Sequence, residues 1–199
     1  PGAGSDVRGM KCSAVRDGGD WVINGTKHFI SGADHADFLI VFIATGEDQT
    51  PKGPKKRITA FLVERDTPGF EVGKKEPKLG MRGSDTAQLL MQDVRVPKDA
   101  VLGKEGEGFK NFMKTLDGGR ISIGALALGI AAGAHEFSVN YAKEREAFGK
   151  PIIENQTLSH RLAQAKTDAI VGRSFLDQCI RKHLRGELTA EEGAMAKFW

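Results

Sequence analysis

The chain's 199 residues and 21.5 kDa are enough for one ordinary domain or two small ones, with a core that needs no disulfide staples. A composition of 40% hydrophobic and 28% charged residues, with a net charge of +3 spread evenly along the chain, argues against a polybasic nucleic-acid surface. No uninterrupted apolar run approaches the roughly 20 residues that span a bilayer, so no membrane span is expected, and Cys12 and Cys179, lacking CxxC spacing, suit a reducing compartment.

Turn chemistry and β-branched runs dominate the first hundred residues. Lys11 to Arg16 and Trp21 to Asn24 read as short strands around the hairpin cluster Asp17, Gly18, Gly19 and Asp20. Asn24 and Gly25 tolerate positive φ and suggest a second tight turn before a strand from Lys27 to Ser31. Phe38 to Thr45, Ile58 to Glu64, Phe70 to Val72 and Ala87 to Val96 complete the set, and the basic cluster Lys52, Lys55, Lys56, Arg57 beside Pro51, Gly53 and Pro54 reads as a solvated loop tip. Short strands at this spacing, without alternating helices, predict an antiparallel barrel or sandwich rather than a parallel nucleotide-binding sheet.

After Gly103 the pattern becomes helical, which places a domain boundary at 104/105 and gives an α+β chain overall. Gly108 to about Glu144 is apolar at nearly every position of its middle, as in a helix buried on all sides. Its many small residues suit close approach of a neighbouring backbone. At roughly 1.5 Å per residue it would exceed 50 Å, too long for this chain to cover, so further helices from elsewhere in the protein or from another subunit are expected to pack on it. A second helix is predicted from Gln156 to Arg185, ending at Gly186, and Thr189 with Glu192 forms a capping box for a third. The start at Pro1 and the stop at Trp199 inside that third helix suggest a piece of a longer protein.

Candidate chemistry is sparse when residues are taken singly. The turn Pro1, Gly2, Ala3, Gly4, Ser5, Asp6 has backbone N–H groups that could face a phosphate, but it is neither a P-loop nor a dinucleotide fingerprint. No metal spacing is present: His28 and His35 are seven residues apart, and His135, His160 and His183 stand alone. There is no GxSxG elbow either.

The order of six blocks says more. PGAGSD, NGTKHFISG, LGMRGSDTAQLLMQDVRVP, LGKEGEGF, LDGGR and EREAFGKPIIENQ, taken together over essentially the whole chain, closely resemble the acyl-CoA dehydrogenases. The resemblance implies that 1–104 is the middle β-domain and 105–199 the first part of a C-terminal helical bundle. It further implies a flavoprotein built as a homotetramer, a dimer of dimers, that uses FAD, takes an acyl-CoA substrate and passes electrons to electron-transfer flavoprotein. The location implied is the cytoplasm, or the mitochondrial matrix in a eukaryote.

Carried over by position, Pro1, Gly2, Ala3, Gly4 and Ser5 resemble the loop along FAD, with Ser5 also touching acyl-CoA. Phe29, Ile30 and Ser31 resemble the strand beside the isoalloxazine, where an aromatic stacks on the ring edge and a hydroxyl donates to N5. Asp117, Gly118, Gly119 and Arg120 resemble the segment that meets the thioester, the glycines leaving room for a pantetheine arm. Arg145, Phe148, Asn155 and Gln156 resemble the group that reaches the FAD of a neighbouring subunit, a guanidinium suiting a pyrophosphate.

The reaction implied is α,β-desaturation, which needs a carboxylate of raised pKa. In the family that glutamate usually lies later in the helical domain, here expected beyond Trp199; some members carry it at the position of Gly119. No base is therefore assigned, and the chain by itself is expected to be inactive. Two alternatives stay open: an acyl-CoA oxidase or related flavin monooxygenase, distinguished by reaction of the reduced flavin with oxygen, and a non-catalytic interaction module, distinguished by the absence of visible flavin absorbance.

Overall fold

The computed structural model describes residues 2–4, 6–51 and 53–199, without the side chain of Arg8, in two compact units, Pro1–Phe112 and Met113–Trp199. Pro1, Ser5 and Lys52 lie outside the described residues.

In the first unit β1 (Ser13–Asp17) and β2 (Asp20–Ser31) form the expected hairpin, Asp17 opposite Asp20, with Gly18 at φ 63° in the connecting turn. The turn anticipated at Asn24–Gly25 does not form. β2 runs through it, slipping register against β6 (Thr86–Pro97) between Ile23 and Gly25. The reason is a side-chain exchange: Asn24 Nδ2 donates to Asp93 Oδ1 at 2.9 Å, and the Asp93 backbone N–H donates back to Asn24 Oδ1 at 2.8 Å. Those bonds absorb the irregularity as a bulge.

β3 (Phe38–Thr50) and β4 (Gly53–Glu64) make a hairpin longer than expected, because the basic cluster is answered by an acidic partner strand. Lys55 stands opposite Asp48 and Lys56 opposite Glu47, while Arg57 binds Asp48 at 2.7 Å and Glu105 at 3.5 Å. Opposite charges across a ladder stabilise it, so Lys55, Lys56 and Arg57 belong to a strand rather than a loop tip.

With β5 (Phe70–Lys75) the six strands form one sheet in the order β4-β3-β1-β2-β6-β5. Neighbours are antiparallel except at the parallel pairing of β1 with β3. Trp21 on β2 and Phe61 on β4, three places apart in that order, touch edge to face at 5.4 Å. A flat sheet would hold those strands roughly 14 Å apart at about 4.8 Å per step, so the sheet curls around its own core. Ile23, Ile43, Ile58, Leu89, Val63 and Val94 fill that core.

The second unit is helical. The helix α1 (Gly108–Glu144) spans both units: its first turns stay with the sheet, Phe109 against the core and Phe112 edge to face with Phe42 at 5.3 Å. This carries the first unit to Phe112, past the glycine-rich join at 103. α2 (Gln156–Leu184) and α3 (Ala190–Phe198) fall where expected, α3 with its complete capping box. The bond from Lys182, the Thr189 backbone N–H and the nearby ammonium charge hold the Glu192 carboxyl below the ordinary carboxylate range. At Gly124 a Cβ would lie 2.5 Å from the Ala196 carbonyl oxygen, so α3 approaches α1 as closely as the small residues allow.

Elsewhere α1 is not buried as an all-round apolar helix should be. Ile123, Leu126, Ile130, Phe137 and Tyr141 are exposed, with Phe137 stacked on Tyr141 at 6.5 Å. By length and composition α1 is also long and apolar enough to cross a membrane, and little of its apolar stretch is buried within this chain. Uninterrupted run length misses this because small residues with few charges between them carry the average.

Candidate functional site

A cavity of about 600 Å³ opens in the sheet unit. Gly2, Ala3 and Gly4 form one side, His28, Phe29 and Ile30 of β2 another, and Phe42, Phe109 and Phe112 add aromatic walls. The opening turn and the Phe-Ile edge thus line one cavity although 24 residues separate Gly4 from Phe29, beyond the reach of sequence spacing alone. A Cβ on Gly4 would meet nothing within 4 Å, which leaves bare backbone facing open space. Ser31 pairs with Thr86 at the end of β2; it is exposed and not among the cavity-lining residues. Pro1 and Ser5, the other two members of the expected loop, fall outside the described residues.

Phe29 has an unusual backbone. Its φ is 58°, in the left-handed region that a bulky residue occupies only at a cost of about 1–2 kcal/mol, and its side chain is 68% exposed. Neither a β-propensity argument nor burial accounts for an aromatic there.

Lys27 also lines the cavity, and sequence reasoning missed it. Its ammonium donates to the Phe42 carbonyl at 2.6 Å, beside Cys12, whose thiol donates to the Thr26 carbonyl at 3.1 Å. Burial pushes the Lys27 pKa down, opposed by the nearby Cys12 sulfur. The available signal is a lysine at the start of the strand-like run Lys27 to Ser31, where a charge drawn into the sheet has to find a partner.

In the helical unit, Asp117 and Arg120 pair at 2.8 Å one turn apart on α1. A Cβ on Gly118 would come within 3.8 Å of His183, whereas one on Gly119 would meet nothing within 4 Å. Gly119→Ala should therefore raise the stability of this unit by about 1 kcal/mol through helix propensity. Urea unfolding followed by circular dichroism checks it; a loss of stability would mean that the glycine meets a steric need not visible here.

After α1 the chain makes a small ribbon, β7 (Glu146–Ala147) with β8 (Lys150–Pro151). Phe148 at φ 54° and Gly149 at φ 74° form its two-residue turn, which leaves the Phe148 ring fully exposed. Arg145 is held through its backbone, N–H to Tyr141 and C=O from Ile152, both at 2.8 Å, and its guanidinium makes no bond among the described residues. Asn155 caps α2 by accepting from Thr157 N–H at 3.0 Å, and Gln156 is the first residue of that helix. The ribbon so presents an unpaired guanidinium and a bare aromatic ring close together in sequence.

Comparison with known proteins agrees with this architecture. The family model for the acyl-CoA dehydrogenase middle domain matches residues 1–94, and that for the acyl-CoA dehydrogenase C-terminal domain matches 106–199. An acyl-CoA dehydrogenase of Bacillus subtilis is 44% identical over 99% of the chain and 51% of its own length. The mitochondrial long-chain specific acyl-CoA dehydrogenase of Rattus norvegicus is 41% identical over 100% of the chain and 46% of its own length. The solved butyryl-CoA dehydrogenase of Megasphaera elsdenii superposes with a TM-score of 0.90 at 41% identity, covering 98% of this chain and 50% of that one. The chain spans about half the length of the relatives it matches. With both family models matched in order, over a curled six-stranded sheet followed by helices, the chain belongs to the acyl-CoA dehydrogenase family.

Proposed function

We propose that this chain is the flavin- and thioester-binding part of an enzyme that desaturates acyl-CoA between its α and β carbons. The observation that carries the reading is the shared cavity, in which Gly2, Ala3 and Gly4 face Phe29 and Ile30. Its residues fit a flavin: the lining is mostly apolar and aromatic, as a flat tricyclic ring requires, with bare glycine backbone at one edge and a half-buried ammonium in the wall. FAD would supply the acceptor for the β-hydride there, with electron-transfer flavoprotein as the electron partner in this reading.

The chain's own residues bind and orient. Phe29 offers a ring face, Ala3 and Ile30 exclude water, and the Lys27 ammonium places positive charge against the cavity. Gly119 leaves an open track on α1 for the pantetheine arm, with Gly118 beside it toward His183 and the Arg120 guanidinium held in place by Asp117. Arg145, Phe148, Asn155 and Gln156 reach the cofactor of a second copy in the assembled enzyme.

Proton removal from the α carbon needs a carboxyl held above its ordinary range. In our reading the α-proton base lies outside these residues, because the position on α1 where some members of the family carry the glutamate is Gly119 here, and the chain binds without turning over. Purified with FAD, it should keep visible flavin absorbance through gel filtration, yet show no oxidation of saturated acyl-CoA with an artificial electron acceptor. Turnover at an enzyme-like rate would refute the assignment of the base, and failure to hold flavin would refute the reading of the cavity.

A further inference from the structure

The cavity's strained aromatic is held by a device of its own. Along β2, Lys27 pairs with Leu89 and Ile30 with Ala87, so His28 and Phe29 together stand against the single residue Gln88. One extra residue in a strand is a bulge, and it re-aims side chains. Consecutive residues of a regular strand point to opposite faces, but here the two rings lie on the same side, stacked at 4.0 Å with their planes 25° apart. His28 is tied from behind: its Nε2 lies 2.8 Å from Glu76 Oε1, both side chains being largely buried, and the Glu76 backbone N–H is fixed to the Thr86 carbonyl at 2.8 Å. Phe29, mostly exposed and in a costly backbone conformation, has among the described residues the His28 ring as its stacking partner.

Resting on the reading of this cavity as a flavin site, we infer that His28 and Glu76 are a positioning pair that holds Phe29 ready, before any ligand arrives, as a platform for a flat aromatic ring. The physical benefit is preorganisation, since a side chain immobilised in advance loses no rotamer freedom on binding. His28 bears on the platform and Glu76 bears on His28, so their effect belongs in cofactor affinity.

Two measurements on the 199-residue chain test it. In flavin-free protein, the urea midpoints of His28→Ala, Phe29→Ala and the double variant should be non-additive, the double shift being smaller than the sum of the single ones. Additive shifts overturn the clamp. In fluorescence titration with FAD, His28→Ala and Glu76→Ala should each raise the Kd about three- to tenfold. Glu76→Gln, which keeps an oxygen to accept from the imidazole N–H, should restore it. A Kd unchanged in His28→Ala, or a Glu76→Gln variant no better than Glu76→Ala, overturns the positioning role. If the unsubstituted chain takes up no flavin, the cavity's assignment falls instead, and the urea cycle alone decides whether the clamp exists.

Discussion

Phe61→Ala should cost the sheet unit about 3–5 kcal/mol, the usual range for emptying a buried aromatic site. Phe61 is fully buried and meets Trp21 edge to face at 5.4 Å, the contact across which the sheet closes on itself. Against a typical total stability of about 5–15 kcal/mol, that loss leaves the unit close to unfolding at ambient temperature. The curl, and with it the cavity, should loosen together. Urea unfolding followed by tryptophan fluorescence in a Trp199→Phe background, which leaves Trp21 as the sole tryptophan, reads this directly; a midpoint within error of the same background without Phe61→Ala would mean that the Trp21–Phe61 contact does not hold the closure. Phe61→Leu, which refills most of the volume, should recover a large part of the loss.

Gly25→Ala is expected to have a comparable effect for a different reason. Gly25 has φ 140°, and a Cβ there would lie 2.6 Å from Cys12 Sγ and 2.8 Å from Cys12 Cα. Backbone strain of about 1–3 kcal/mol adds to a similar overpacking cost, for a total of about 2–6 kcal/mol. The clash is with backbone, so a side-chain rotation cannot relieve it. Gly25 and Cys12 both line the cavity, so flavin affinity should fall along with stability. Gly19→Ala, in a turn where a Cβ meets nothing within 4 Å, serves as the control and should be nearly neutral. Equal midpoints for the two variants would sink the argument from close approach.

Both predictions concern places where sequence reading and tertiary structure part company. Asn24–Gly25 has the composition of a hairpin turn, and local chemistry alone supports that reading. What prevents it is Asp93, remote in sequence, whose side chain and backbone exchange hydrogen bonds with Asn24 and keep β2 running on through a bulge. The lysines around 55 looked like a loop tip because their acidic partners sit on the other arm of the hairpin, where only the register shows them. Lys27 and the His28–Glu76 pair were equally hidden: His28 was weighed as a metal ligand, and its partner lies on a segment near β5 that no spacing rule connects to it.

The helices were more legible. Gln156, Gly186 and the Thr189/Glu192 box are local signals, readable within a few residues, and α2 and α3 begin and end beside them. The block motifs identified the family for the same reason: each is a short stretch whose chemistry is carried by neighbours in sequence. The amino-acid sequence by itself therefore determined the two-part β-then-α order, the helix ends and the family. Only the tertiary structure decided that the sheet curls until Trp21 meets Phe61, that Gly2–Gly4 and Phe29–Ile30 line one cavity, and that Phe29 stands in a left-handed conformation beside His28. Caps and turns are governed by interactions within about four residues, whereas curl, cavity and strain depend on pairings whose partners the chain brings together only when it folds.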